Sequence, residues 1–170
     1  LLQGHAVLKD RCGAPREIEA SPDTTRTLAA ELASGAIDLL VTSGHATERD
    51  WQIGYRYRNG QFRSSAGRMD GVEASGARLP VVSPNPKVYL AVGNCLMGHI
   101  DGPDAMALAW MNACGVVQMA GYTQPTWFGY MGWGLLDYFL EQPGRFTAAE
   151  AFFANLQALH RELERQPDSK

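Results

Sequence analysis

Three short apolar runs constrain the fold of this chain more than any other feature. They are AIDLLVTSG (36–44), KVYLAVGN (87–94) and GVVQMAGYT (115–123), and each ends in small or polar residues. Strands that are covered on both faces have continuous rather than alternating hydrophobicity, so the runs predict buried parallel strands. We therefore expect the three to lie side by side in one sheet.

Helical signals lie between and after these runs. Cap residues, glycine stops and amphipathic spacing predict four helices, at 21–35, 102–115, 126–144 and 146–166. Strands that alternate with helices favour an α/β sandwich. The fold class that follows is α/β with a mostly parallel central sheet.

Residues 51–86 depart from this alternation. The stretch WQIGYRYRNGQFRSS alternates around Asn59-Gly60, a dipeptide typical of tight hairpin turns, and the residues after it are rich in Gly, Ser and Pro. We expect a hairpin and a long excursion inserted between the first two core strands.

Size and charge narrow the classes of function. The 170 residues suit one domain, 1–170, with a core of its own. Apolar runs fall short of the roughly 20 residues that a membrane span needs, so we expect no membrane span. A net charge of -3 gives no general attraction for phosphate, and we expect no nucleic-acid partner.

The cysteines are far apart in the sequence. Cys12, Cys95 and Cys114 form no C-x-x-C pair, which argues against a zinc ribbon or a thioredoxin-type motif. Cys12 lies in a predicted turn, and Cys114 ends a predicted helix among small residues, where we expect it in the core. Because the chain starts at Leu1 without a signal-peptide pattern, we expect a piece of a longer protein, whose other domains are possible partners.

The ends of the predicted strands bring together residues that can carry chemistry. In open parallel sheets, ligands bind beyond the carboxyl ends of the strands. Those ends carry His45, Cys95 and the segment Tyr122 to Trp127. A thiol near pKa 8.5 is mostly protonated at neutral pH, and a neighbouring imidazole can accept its proton. The pair predicts a cysteine nucleophile with a histidine base.

The two blocks around His45 and Cys95 also resemble a known family. DLLVTSGHA and VYLAVGNCL place the histidine 50 residues before the cysteine, which is the separation found in caspases. With the segment GVVQMAGYTQPTWFGYMGWGLLDYF, they resemble the caspase-gingipain clan of cysteine peptidases, and gingipain-like members in particular. Gly93-Asn94 replaces the Gln-Ala that precedes the caspase nucleophile, so aspartate specificity is not implied.

The resemblance implies a fold and a mechanism. The fold is a three-layer α/β/α caspase-like sandwich, in which Cys95 attacks a peptide carbonyl and His45 serves as acid and base. The oxyanion donors become the backbone N–H groups of Cys95 and of Ala46, which stands where the family usually has glycine. The chemistry needs no cofactor, the partner is a peptide or protein substrate, and the family leans toward export to the periplasm or cell exterior.

Supporting residues are less well defined. Asp38, Glu48 and Asp50 are candidates for orienting the imidazole of His45, since each is near it in sequence. The polar and aromatic loop after the third strand predicts a substrate pocket. Its residues are Tyr122, Thr123, Gln124 and Trp127.

Two other functions fit the same residues. A catalytically inactive caspase-like domain could serve as a binding or regulatory module, for which Ala46 and the undefined orienter are the motivating features. A zinc-binding domain could use His45, Cys95, His99 and Asp101, since zinc accepts nitrogen, sulfur and oxygen ligands. Their spacing lacks the usual paired ligands, so we expect no metal.

Overall fold

The computed structural model describes residues 23–53, 59–126 and 134–165. The elements in these ranges are, in chain order, α1 (Thr25–Ala33), β1 (Leu39–Gly44), β2 (Asp50–Gln52), β3 (Gln61–Ser65), β4 (Arg68–Val72), β5 (Arg78–Pro80), β6 (Lys87–Asn94), α2 (Met106–Ala113), β7 (Val116–Gly121), α3 (Gly134–Phe139) and α4 (Ala148–Arg165).

The three apolar runs form one parallel sheet, as predicted. Its order is β1-β6-β7, with β6 in the centre. All but one residue of β6 are buried, which explains why this strand has a continuous apolar sequence. The mixed α/β class is therefore confirmed.

The pairing of β1 with β6 is interrupted near the carboxyl ends of both strands. Val41 pairs with Leu90, but Ser43, two residues later, pairs with Gly93. The extra residue on β6 is a β-bulge, a feature that disrupts the ladder locally and re-aims the side chains beside it.

The insertion between β1 and β6 is larger than the predicted hairpin. It is a separate antiparallel sheet with the order β2-β3-β4-β5. Asn59-Gly60 is not a two-residue turn, because the pairing of β2 with β3 ends at Gln52 and Gln61. The tight turn is Ala66-Gly67, between β3 and β4, where φ is 48° and 70°. Positive φ at both central residues is what a type I′ hairpin requires.

The parallel sheet is covered on both faces. From β6, Tyr89 and Ala91 enter an apolar cluster with α1, α2 and the antiparallel sheet, whereas Leu90 and Val92 enter a second cluster with α3 and α4. This alternation is the two-residue period of a strand. The first cluster includes the Tyr89 and Trp110 rings, whose centroids lie 4.7 Å apart.

The helices follow the predictions with shorter bounds. Helices α1, α2 and α4 lie within their predicted segments, and α3 occupies the last part of 126–144, of which 127–133 lies outside the described residues. Among the described helices, none combines the length and the hydrophobicity needed to cross a membrane.

Candidate functional site

A cleft of about 470 Å³ lies at the carboxyl ends of β1 and β6. It is lined by Ser43, Gly44, His45, Gly93, Cys95, Pro125 and Thr126. The two residues that the sequence singles out for chemistry therefore share one cavity, although 50 residues separate them in the chain.

His45 begins a short hairpin that continues β1. The carbonyl of His45 accepts a hydrogen bond from the Gln52 N–H at 3.0 Å, and the Thr47 N–H donates to the Asp50 carbonyl at 2.8 Å. These bonds flank the pair Ala46 and Trp51, which is bridged without bonding directly. In such a pair the backbone N–H points away from the partner strand, so the Ala46 N–H is directed out of the hairpin.

Cys95 is the first residue after β6 and begins a tight turn over residues 95–98. Leu96 has φ 56°, an uncommon conformation for a residue with a side chain. The turn is anchored by the fully buried Met97 and by a bond of 2.9 Å from the Gly98 N–H to the Tyr122 carbonyl. This sharp turn leaves the Cys95 side chain half-buried at the cleft.

The Cys95 sulfur contacts the backbone of Thr126. Its S–H donates to the Thr126 carbonyl at 3.2 Å, and the Thr126 N–H donates to the sulfur at 3.3 Å. Within the described ranges no hydrogen bond joins the sulfur directly to the His45 imidazole, which is exposed across the cleft. The thiol proton is thus directed at a peptide carbonyl in this conformation.

A buried chain of hydrogen bonds links the two strands just before the cleft. The hydroxyl groups of Tyr89 and Thr42 lie 2.9 Å apart, and Thr42 donates to Asn94 Oδ1 at 2.5 Å. Asn94 Nδ2 then donates to the Gly44 carbonyl at 3.3 Å. Burial raises the pKa of the Tyr89 phenol, so this group keeps its proton and can donate.

The strand ends approach too closely for a side chain at Gly93. A Cβ there would overlap the side chain and backbone of Ser43 on β1. Gly93 therefore fixes how near the two strands can lie, and only backbone forms this part of the cleft lining.

The predicted orienting carboxylates lie elsewhere. Asp38 precedes β1, roughly 20 Å of strand from His45, and its carboxylate accepts a bond from Asn85 at 3.3 Å. Asp50 accepts a bond of 2.6 Å from Arg63 on the neighbouring strand. Glu48 contributes its backbone carbonyl, which accepts from the Met106 N–H at 2.6 Å. None of the described carboxylates bonds the His45 imidazole.

The described residues of the predicted substrate pocket do not line this cleft. Tyr122 and Thr123 line a neighbouring apolar cavity of about 260 Å³, which also includes Phe152. Gln124 is exposed, and Trp127 lies outside the described residues. The loop instead contributes its next two residues, Pro125 and Thr126, to the cleft.

The cleft also includes residues that the sequence analysis missed. These are Ser43, Gly44 and Gly93, whereas Pro125 and Thr126 lie within the predicted rim segment 122–127. The small residues at the ends of the two apolar runs were a usable signal for the first three. The contact of Thr126 with sulfur had no such signal, because backbone atoms make it.

The proposed zinc ligands do not assemble. Asp101 binds Arg49 at 2.5 Å, and the His99 N–H closes the turn by donating to the Leu96 carbonyl at 2.9 Å. Across residues 23–53, 59–126 and 134–165, no three His, Cys, Asp or Glu side chains are grouped in a way that could hold a metal ion.

Cys114 is in a different environment from Cys95. It is fully buried after α2, and burial raises the pKa of its thiol to about 12. The predicted placement of Cys114 in the core is confirmed.

Comparison of the chain with protein-family models, curated proteins and solved structures found no match. The chemistry of the cleft is therefore inferred from its own residues.

Proposed function

We propose that this chain is a cysteine peptidase domain of the caspase-gingipain type, with Cys95 as nucleophile and His45 as general acid and base. The observation that carries the proposal is that both residues line one cleft, at the carboxyl ends of adjacent parallel strands. This is the position at which open parallel sheets bind ligands. The coverage of the sheet on both faces supports the caspase-like three-layer sandwich.

The proposed reaction has two stages. First, the Cys95 S–H gives its proton to His45 while the sulfur forms a bond to the carbonyl carbon of the substrate. The carbon–nitrogen bond then breaks, and the imidazolium donates its proton to the leaving amine. Second, His45 takes a proton from water while the water oxygen bonds to the thioester carbon. The carbon–sulfur bond then breaks, the acid leaves, and the imidazolium returns its proton to the Cys95 sulfur.

The backbone around both residues supports stabilisation of the oxyanion. The Ala46 N–H is directed away from its hairpin partner, and the Cys95 N–H lies where β6 ends and the tight turn begins. Backbone donors of this kind contribute about 3 kcal/mol each to the transition state. An alanine after His45 keeps this N–H, as a glycine would.

The contact with Thr126 is compatible with this mechanism. Because the S–H bond rotates about Cβ–Sγ, its proton can leave the Thr126 carbonyl without a change of backbone. Dyads in ligand-free enzymes often have long or misaligned contacts that shorten when substrate binds. We therefore expect substrate to bring the sulfur and the imidazole into contact.

The test is covalent labelling with peptide acyloxymethyl ketones. In these reagents a nucleophilic thiolate forms a thioether to the methylene carbon and expels a carboxylate, so intact mass reports the product. The panel varies the residue before the ketone. We expect one adduct per wild-type chain and none on Cys95→Ala or His45→Ala.

Matched variants make the labelling specific. Cys114→Ala removes another thiol, and His99→Ala removes another imidazole that lies close to Cys95 in sequence, so both should label like wild type. Absence of labelling in folded wild-type protein would refute the peptidase proposal.

That same negative result would favour a catalytically inactive caspase-like module. Two observations speak for this alternative: the Cys95 sulfur has Thr126 as its partner, and none of the described carboxylates bonds the His45 imidazole. Binding of the unreactive peptide panel, measured by calorimetry on Cys95→Ala, would then distinguish a peptide-binding module from one with another partner.

A further inference from the structure

We propose that Asn94 is a positioning residue that fixes the separation of Cys95 and His45, an inference that rests on the proposed function. Asn94 immediately precedes Cys95 and is fully buried. Its amide bonds the carbonyl of Gly44, the residue immediately before His45, at 3.3 Å. One side chain thus connects the backbone on both sides of the cleft.

The donor in each hydrogen bond of this network follows from the single proton that each hydroxyl group carries. Thr42 has one hydroxyl proton and gives it to Asn94 Oδ1 at 2.5 Å. The bond between Thr42 and Tyr89 must therefore be donated by the phenol. The chain runs from Tyr89 through Thr42 and Asn94 to the Gly44 carbonyl, and each group has a partner, so the amide has one preferred orientation.

The network lies where the backbone ladder is irregular. The β-bulge between Val41 and Ser43 interrupts the regular pairing of β1 with β6 just before their ends. Asn94 and Thr42 provide side-chain bonds across the two strands at this level. Tyr89 packs against Trp110 in the core, which holds the other end of the network. The separation of the strand ends therefore depends on side chains as well as on the ladder.

Misplacement of reacting groups by about 1 Å can lower a rate by about 100-fold, so loss of this network should impair the dyad without removing either member. The test measures the rate constant for alkylation of Cys95 by iodoacetamide, assigned by peptide mapping. Thr42→Val removes the hydroxyl at nearly constant size, and Asn94→Ala removes the amide. Both are made in the wild-type chain and in His45→Ala.

We expect Thr42→Val and Asn94→Ala to lower the alkylation rate about tenfold or more when His45 is present, and less than twofold in His45→Ala. Thr42→Ser, which restores the hydroxyl, should return the rate to within about twofold of wild type. Thr42→Val and Thr42→Ser also test the inference if Asn94→Ala fails to fold. Ser83→Ala is the matched control, because it removes a buried hydroxyl far from the cleft, and it should not change the rate.

Two results would overturn the inference. Equal losses with and without His45 would mean that the network only stabilises the fold, and no loss in either background would mean that it does not position the dyad. Failure of the proposed function has a different signature. In that case His45→Ala alone leaves the rate unchanged, whatever residue is at position 42 or 94.

Discussion

The two ends of the parallel sheet each hold a cysteine, in opposite surroundings. At the carboxyl end, Cys95 is half-buried in an open cleft and bonds the backbone of Thr126. At the amino end, Cys114 is fully buried beside Lys87, whose ammonium donates to the Cys114 carbonyl at 2.6 Å. One sheet thus has an accessible thiol at one end and a closed core at the other.

The two ends differ in solvent access and in hydrogen-bond partners, although each has a basic side chain near its cysteine. Lys87 is itself buried, yet it donates to Ser83 at 2.8 Å and to the Asn85 carbonyl at 2.7 Å as well as to Cys114. Desolvation lowers the pKa of Lys87. Its donors are thus occupied by acceptors of the fold, whereas the exposed His45 imidazole faces a cavity. The polar groups at the amino end are bonded within the fold, whereas the carboxyl end contains an open cleft.

Labelling of the native protein tests the difference between Cys95 and Cys114 most directly. We expect iodoacetamide to modify Cys95 at least about 10³-fold faster than Cys114, because Cys114 reacts only when the fold opens and unfolding costs roughly 5–15 kcal/mol. Time-resolved peptide mapping measures both rates, and the protein in denaturant supplies the reference in which the two rates are similar. Comparable alkylation rates of Cys95 and Cys114 in the native protein would contradict the description of Cys95 as accessible and Cys114 as enclosed in the core.

Removal of the buried ammonium tests the stabilising role of the amino end. We expect Lys87→Ala to lower the free energy of unfolding by about 3 kcal/mol, because three acceptors lose their donor and a cavity remains. Lys87→Met fills more of the space and should lose less. Chemical denaturation measures both, with exposed Arg68→Met as the control. A loss below about 0.5 kcal/mol for Lys87→Ala would equal that of a surface change and contradict the prediction.

The smallest expected effect is a loss of stability at alkaline pH, and it depends specifically on Cys114. The folded pKa of Cys114 is raised to about 12 by burial, so the unfolded chain loses this proton first. The protonated Cys114 thiol contributes its full stabilisation below the ordinary thiol pKa. Above about pH 9 this contribution to the free energy of unfolding falls by about 1.4 kcal/mol per pH unit. At pH 10.5 that amounts to about 2 kcal/mol.

The comparison of Cys114→Ala with Cys95→Ala isolates this effect. Cys114→Ala should have a flatter decline of unfolding free energy between pH 9 and 10.5, measured by urea titrations at fixed pH. The lowered pKa of Lys87 acts in the opposite direction, because the unfolded lysine binds its proton more tightly. Lys87 is present in both variants. Equal slopes would show that Cys114 does not titrate abnormally.

The sequence predicted the parallel sheet because burial on both faces produces a simple signal. Strand β6 has an almost unbroken apolar sequence, and its neighbours end in small residues. The antiparallel sheet was underestimated for the opposite reason. Its strands β4 and β5 are short and contain Gly, Pro and charged residues, and the turn that joins β3 to β4 is Ala66-Gly67, a weaker signal than Asn-Gly.

The candidate site was predictable where it depends on topology. The carboxyl ends of adjacent parallel strands must meet, and this brings His45 and Cys95 to one cleft. Asp38 lies far from His45 because residues that are close in sequence along an extended strand are distant in space. The contact of Thr126 with the Cys95 sulfur could not be predicted, since it uses backbone atoms that every residue has.

Gly44 and Gly93 give the cleft a floor of nearly bare main chain. Neither residue has a side-chain rotamer to change, so no side chain at these two positions has to move when a ligand enters. Ordering a long side chain on binding costs about 0.5–1.5 kcal/mol, and at these two positions that cost does not arise. The cleft is therefore preorganised at its base, and any induced fit has to come from its walls.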